Sequence, residues 1–276
     1  MTNKSILITG CSTGIGYDAA HTMQKRGWRV FATCRAEVDC ERLRGEGLES
    51  FRLDYQDESS IQAAIEETLS RTGGTLDALF NNGAYAIPGA IEDISRDALR
   101  DIFETNVFGQ IDLANRLIPV MRDQGHGRIV FTSSVLGFIS TPYRGAYCAT
   151  KYALEALLDA QRMEHKDSSL EFILIEPGPI TTDFGKNATK QFEKWIDMEN
   201  SQRKTNYEAM LRKRQDYAGK KDFSELPSSA VTAKLIHALE SSRPRPRYYV
   251  TLSTYFADIM RRVLPTRLLD LVMSRQ

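Results

Sequence analysis

The chain has 276 residues, 42% hydrophobic and 26% charged, with 36 basic against 36 acidic side chains and no net charge. The length suits one large α/β domain, and the even charge excludes a general nucleic-acid binder, which needs a basic excess against phosphate. The start leaves no room for a signal peptide, and no apolar run approaches the roughly 18 residues of a membrane span, so a cytoplasmic protein is expected.

Short apolar runs at residues 6–9, 30–33, 51–53, 78–80, 128–132, 172–175 and 248–250 predict seven strands. Helical periodicity lies between them, at residues 14–26, 59–71, 97–122 and 147–165. Continuous apolar strands alternating with helices predict a parallel sheet covered on both faces. The first strand runs into Gly10-Cys11-Ser12-Thr13-Gly14-Ile15-Gly16 and then a helix. Three glycines at such a turn let the backbone approach a pyrophosphate, which the helix N-terminus attracts. The second strand ends at Thr33-Cys34-Arg35. An acid at that strand end would favour NAD; Arg35 suits the 2′-phosphate of NADP, with Thr13 as a further hydroxyl donor. Stacking on adenine is the other use for Arg35. Asp54, ending the third strand, suits either the adenine amino group or a helix cap.

Tyr147 and Lys151 stand four residues apart, on one helix face. An ammonium beside a phenol favours the phenolate and lowers its pKa, which fits proton transfer to or from an alcohol oxygen. Residues following the strands' carboxyl ends include Tyr85, Ile87, Val135, Leu136, Phe138, Pro142, Tyr143 and Phe184. They are apolar and aromatic, either core or the lining of a pocket for a hydrophobic carbonyl or alcohol. Residues 185–226 break the rhythm: polar and helical, with Phe192, Trp195 and Tyr207, they read as a substrate-covering insert or a solvated helix pair. The tail, residues 254–276, is an amphipathic helical stretch divided at Pro265, with Arg261, Arg262 and Arg267 among its apolar residues. Such a stripe packs on its own protein or a second subunit, or makes a peripheral membrane contact. Four cysteines (Cys11, Cys34, Cys40, Cys148) lack metal-like spacing, read as reduced thiols, and give no expectation of a metal.

Together these residues resemble the short-chain dehydrogenase/reductase family. The resemblance rests on the glycine loop, Asn81-Asn82-Gly83-Ala84, Asn106-Val107-Phe108-Gly109, Ser133-Ser134, Tyr147-x-x-x-Lys151 and Pro177-Gly178-Pro179-Ile180-Thr181-Thr182. These motifs span residues 5 to 182. The Ala32-Thr33-Cys34-Arg35 strand end, Tyr147-Cys148-Ala149-Thr150-Lys151 and Glu176-Pro177-Gly178 look like its 17β-hydroxysteroid and retinol dehydrogenase branch, whose bacterial members include aldehyde and ketone reductases. The implied fold is a single Rossmann-type domain over residues 1–276, a doubly wound seven-stranded parallel sheet in the order 3-2-1-4-5-6-7. Tyr147 would be the general acid/base. Lys151 would tune it and bind the nicotinamide ribose. Ser134 would hold the substrate oxygen, and Asn106, inside a long helix, would anchor a water. Pro177 and Gly178 would set backbone against the nicotinamide, with Ile180 and Thr182 at its carboxamide. Asn82 would brace the sheet centre. The family usually reads Asn-Asn-Ala-Gly there, so Gly83 comes one position early. A homodimer or homotetramer is implied as well.

The leading expectation is therefore an NADP(H)-dependent oxidoreductase for a hydrophobic aldehyde or ketone and its alcohol. An NAD-dependent alcohol or steroid dehydrogenase, a membrane-associated lipid-modifying reductase, and a non-catalytic dinucleotide sensor are the alternatives. The sensor fits least, because Asn106, Ser134, Tyr147 and Lys151 are all present.

Overall fold

The structure, a computed structural model, describes residues 4–216 and 224–274. Its first half alternates β1 (Ser5–Ile8), α1 (Gly14–Lys25), β2 (Arg29–Cys34), α2 (Glu37–Gly45), β3 (Glu49–Arg52), α3 (Glu58–Thr72) and β4 (Ala78–Asn81). Then follow α4 (Arg96–Phe103), α5 (Gly109–Asp123), β5 (Gly127–Thr132), α6 (Gly145–Glu164), β6 (Leu170–Glu176) and a short β7 (Ile180–Thr181). The remainder is α7 (Phe184–Trp195), α8 (Lys204–Asp216), β8 (Leu226–Pro227), α9 (Ser228–Glu240), β9 (Arg247–Tyr249), α10 (Leu252–Val263) and α11 (Thr266–Met273).

Seven strands form one parallel sheet in the order β3-β2-β1-β4-β5-β6-β9. The expected order holds, with β9 as the seventh strand. Alternation along the strands divides the core. Ile6 and Ile8 face α1 and α9, with Met23 and Leu235; Leu7 faces the other side, with Ile61, Leu117 and Leu154 from α3, α5 and α6. Both faces are thus covered, as near-continuous apolar strands require.

The expected helix over residues 97–122 is two helices. α4 and α5 are joined by a π turn, Glu104–Phe108, whose wider turn carries Asn106 to a fully buried position. The insert is helical, as its pattern predicts, but Phe192 and Tyr207 are not solvated. Phe192 and Tyr207 are buried and meet edge to face at 5.1 Å, and Tyr207 donates to Asp93 and accepts from the Ala90 amide at 2.9 Å. Burying a ring of that size contributes on the order of 2 kcal/mol. Residues 217–223 of the insert lie outside the described residues. A parallel pair that the sequence did not signal, β7 with β8, closes the insert's base.

The tail breaks at Pro265, as expected. Ala257 and Met273 of α10 and α11 are buried against a third apolar cluster with Leu136 and Tyr147. The opposite stripe, Leu252, Phe256, Ile259, Val263, Leu268 and Leu271, is exposed. Among the described residues no helix is long and apolar enough to cross a membrane.

Candidate active site

The glycine loop is shaped by backbone contact. Gly10 has φ +68°, and a Cβ on it would stand 2.7 Å from Gly83 Cα; one on Gly16 would stand 2.3 Å from the Gly10 carbonyl oxygen. Gly10 is therefore the residue that lets the two loops touch; a Cβ on Gly83, one place early against the family pattern, would press on the Tyr55 ring at 3.2 Å instead. Gln110 Nε2 holds the Gly83 carbonyl at 2.9 Å. Asn82 braces the sheet centre: its amide N–H donates to Thr9 Oγ1 at 2.9 Å, its Nδ2 donates to the Thr9 carbonyl at 3.2 Å, and its Oδ1 accepts from Thr132 at 3.2 Å. Thr13 precedes α1 without a side-chain cap, so the first-turn amides, over Gly14 and Ile15, remain open to an anion. Ser12 is fastened by a residue the sequence reading passed over: Arg42 of α2 donates to its carbonyl at 2.6 Å.

Arg35 directly follows β2, exposed and without an ion pair among the described residues. The helix-cap option for Asp54 falls, because Asp57 caps α3 through the Ser60 amide. Asp54 instead accepts from the Gln56 amide at 3.2 Å and from Arg52 at 3.3 Å.

Tyr147 and Lys151 lie on α6, both buried. Ser134 opens a single 3₁₀ turn after β5; its Oγ accepts from the Leu136 amide at 3.1 Å, and it stands near enough to the Tyr147 phenol to lower its pKa. Ser133, its rival by spacing, is buried with its hydroxyl unpartnered. Lys151 Nζ donates to the Thr132 carbonyl at 2.7 Å and stands 5.6 Å from the Tyr147 ring centroid. Burial pulls the Lys151 pKa down to about 7, with the Glu155 charge opposing. Burial also pushes the Tyr147 phenol up, with Ser134 opposing. The expected lowering of the phenol by the ammonium is thus reversed. The physical reason is that desolvation dominates while the ammonium is turned to the Thr132 carbonyl.

Asn106 does not reach Lys151 directly. Its Nδ2 donates to the Tyr85 carbonyl at 2.8 Å and to Thr150 Oγ1 at 3.2 Å, and its Oδ1 accepts from the Tyr85 amide at 3.1 Å. The Pro177–Gly178 turn lies between the halves of the site. Val135 N–H donates to the Pro177 carbonyl at 2.8 Å, and a Cβ on Gly178 would meet Thr251 Oγ1 at 2.1 Å. Ile180 packs on the first core cluster, and Thr182 touches Gly14, where a Cβ would find its Cγ2 at 3.0 Å. The segment therefore links the glycine loop to the tyrosine.

Of the residues expected to line a pocket, Phe184 comes nearest Tyr147. Its ring meets that of Tyr147 edge to face at 5.5 Å. Leu136 adjoins Ser134 in the third cluster, with Ile87, Phe138 and, partly buried, Val135. Tyr143, at φ +61°, lays its ring 5.8 Å from that of Tyr207. Tyr85 is different: its phenol donates to Asp101 and its backbone is held by Asn106, so only its ring is free for a ligand. Pro142 is exposed at the rim. Tyr249, which the sequence reading did not place here, lies 5.8 Å from Phe138.

Comparison with known proteins agrees with this geometry. Residues 4–193 match the short chain dehydrogenase family model, and the chain belongs to that family. The uncharacterized oxidoreductase YbbO of Escherichia coli K12 is 40% identical over 271 residues, covering 98% of this chain and 94% of the relative. Retinol dehydrogenase 16 of Rattus norvegicus is 32% identical over 279 residues, covering 97% and 87%. A Burkholderia phymatum short-chain dehydrogenase/reductase solved with NAD shares the fold at TM-score 0.79 and 23% identity, covering 99% of this chain and 96% of that one. The chain is thus an oxidoreductase of the short-chain dehydrogenase/reductase family, similar to the retinol dehydrogenase branch.

The depressed lysine has a stability consequence. Folded Lys151 has a pKa of about 7, below its unfolded value, so its buried charge destabilises the fold at low pH. That cost is relieved as pH rises from about 7 towards roughly 10. Lys151→Met is expected to raise the melting temperature by roughly 5 °C or more at pH 6, with a smaller gain at pH 9. Thermal melts at both pH values check this; a lower melting temperature at pH 6 contradicts it.

Proposed function

We propose that the protein is an NADP(H)-dependent oxidoreductase that interconverts a hydrophobic aldehyde or ketone and its alcohol. The observation that carries this is Tyr147 and Lys151 buried one turn apart on α6, with Ser134 opening the turn that leaves β5. The glycine loop, with its close backbone contacts and uncapped α1, fits a pyrophosphate. Gly10, Ser12, Thr13, Gly14, Ile15 and Gly16 would hold it, and Asn82 and Gly83 would flank the adenine ribose. Asp54 would reach the adenine. Unpaired Arg35 at the β2 end supports NADP, because a guanidinium binds a 2′-phosphate by charge and paired hydrogen bonds. Lys151, Pro177, Gly178, Ile180 and Thr182 would seat the nicotinamide end.

When bound, NADPH supplies the hydride. The protein's residues do the rest. Ser134 Oγ orients the carbonyl oxygen, and Tyr147 Oη delivers the proton to it. Lys151 supplies positive charge beside the phenol, and Asn106 holds the Tyr85 loop and Thr150 in place. Burial that raises the Tyr147 pKa keeps the phenol protonated at neutral pH, which suits reduction.

The substrate side is apolar. Leu136, Tyr143 and Phe184 would contact the substrate with the ring face of Tyr85, and α7 and α8 would cover it. The likeness to a retinol dehydrogenase supports a bulky apolar substrate. The exposed stripe of α10 and α11, edged by Arg261, Arg262 and Arg267, supports a peripheral membrane contact of a cytoplasmic protein. Exposed Phe108, Tyr152, Leu157 and Met163, on the π turn and α6, support a homodimer or homotetramer. An NAD-dependent alcohol or steroid dehydrogenase is the competing outcome of the cofactor test.

Three measurements test this reading. Tyr147→Phe is expected to keep NADPH binding and lose turnover by about a hundredfold or more, followed at 340 nm across aldehydes, ketones, steroids and retinoids. Substantial residual activity removes the acid/base role. Arg35→Asp is expected to weaken NADPH at least about tenfold while sparing NADH, read by fluorescence titration. Equal loss for both cofactors removes the 2′-phosphate contact. Phe256→Glu with Val263→Glu is expected to stop co-sedimentation with anionic liposomes, and sedimentation of the wild type without liposomes should report a dimer or tetramer. If the wild type fails to pellet with liposomes, the membrane contact is wrong; if it sediments alone as a monomer, the assembly is wrong.

A further inference from the structure

One helical turn beyond Lys151 on α6 lies a buried acid cluster that the proposed chemistry does not use. Arg247 Nη1, from β9, donates to Glu155 and, at 2.6 Å, to Glu176 Oε1 at the end of β6. Its Nη2 donates to both Asp159 oxygens at 2.7 Å. Three carboxyls thus share one guanidinium. Glu176 is fully buried and Glu155 nearly so. The second oxygen of each, Glu155 Oε1 and Glu176 Oε2, is buried without a donor. Two ionised, adjoining carboxylates with unpaired oxygens are costly in such a place. One proton between them removes a charge and supplies the missing donor.

Charge balance gives the same answer. Lys151 and Arg247 carry two positive charges at the buried end, and Glu155 and Asp159 match them if Glu176 is neutral. Arg162 adds to Asp159 at 2.7 Å, but at the cluster's solvent side. From β9 the Tyr249 phenol faces Glu176, and Asp258 and Arg262 of α10 stand beyond that phenol. From the β5 end uncharged Ser133 approaches, opposite Gly137, where a Cβ would lie 2.7 Å from Ser133 Oγ and 3.2 Å from Glu155 Oε1. Glu155 is thus the carboxylate placed nearest Lys151 in sequence and on the same helix face.

We propose that Glu155 and Glu176 share one proton under the Arg247 clamp, leaving Glu155 as the counter-charge that keeps buried Lys151 an ammonium. Glu155 is then a positioning residue acting through Lys151. This rests on the role given to Lys151 above. The electrostatics agree: burial is the main influence raising the Glu176 pKa to about 8, and Glu155 is the one charge opposing the depression of Lys151. The cluster also fastens the three elements of the site. Glu155 is on the tyrosine helix, Glu176 directly precedes the Pro177–Gly178 turn, and Arg247 lies on the strand that leads into the tail.

The test uses two isosteric variants of the full chain. Glu155→Gln keeps an acceptor for Arg247 and removes the charge. Removing an anion lowers the lysine pKa, so the ammonium is lost at lower pH. The alkaline fall of turnover is expected about one pH unit lower than in wild type. Glu176→Gln replaces a protonated acid by an amide that donates as it does, so its profile should match wild type. An unshifted Glu155→Gln profile, or an equal shift in Glu176→Gln, overturns the proposal. Carbon-13 NMR of the full chain reads the same groups without turnover. In wild type, a glutamate carboxyl signal absent from Glu176→Gln should titrate near 8. The Lys151 Cε signal should titrate about one unit lower in Glu155→Gln. Ordinary titration of Glu176, or an unmoved Lys151, overturns the proposal even if no substrate is turned over; absent turnover with both NMR results intact instead counts against the oxidoreductase reading.

Discussion

A lysine ammonium removed from water governs this structure. An unpaired ammonium in a protein interior is prohibitively costly, and it survives only with a fixed acceptor and a counter-charge. Lys151 has the Thr132 carbonyl at 2.7 Å, at the carboxyl end of a central strand, and Glu155 one turn along its own helix. These two constraints fix α6 against β5. Once α6 is fixed, Tyr147 has one place to be, beside Ser134 on the turn that leaves β5. Tyr147 is therefore held by the same contacts that hold the sheet and helix together.

The sheet order explains why the pieces converge. β1 and β4 lie side by side at its centre, so the loops leaving them touch at Gly10 and Gly83. β5 and β6 follow, bringing Ser134 and the Pro177–Gly178 turn to the same end. Open parallel sheets bind ligands beyond the carboxyl ends of their strands for this reason. The insert and the tail then supply apolar surface where the sheet itself offers none. Phe192, Tyr207, Ala257 and Met273 are buried in one cluster with Leu136 and Tyr147, so the tail's inner face is core and its outer face is left to solvent or a partner.

Much of this was legible in the sequence, for a local reason. Parallel strands buried on both faces are largely apolar, so the five inner strands stood out, while the edge strands β3 and β9, which carry Glu49, Arg52 and Arg247, showed only as short runs. The glycine loop and Tyr147-x-x-x-Lys151 are short motifs whose spacing carries the geometry. What was hidden depends on distant partners. Glu155 and Arg247 are 92 residues apart, and Glu176 and Arg247 are 71 apart; each reads alone as a surface charge. Arg42 is hidden likewise, since an exposed helical arginine gives no sign of binding the Ser12 carbonyl. The π turn at Asn106 has no compositional mark, because the apolar residues on either side of it each recur at helical spacing. The direction of the Tyr147 shift was misread because spacing shows that an ammonium is near but not where it points.

The central claim is hydride transfer coupled to proton delivery by Tyr147. It is tested most directly by NADPH carrying deuterium on one face of nicotinamide C4, turned over against hydrophobic aldehydes and ketones, with the alcohols weighed by mass spectrometry. The account predicts one deuterium per alcohol, on the former carbonyl carbon, from one face of the nicotinamide only. Alcohol formed with no deuterium from either labelled face, or no alcohol across the whole panel with either NADPH or NADH, would contradict it.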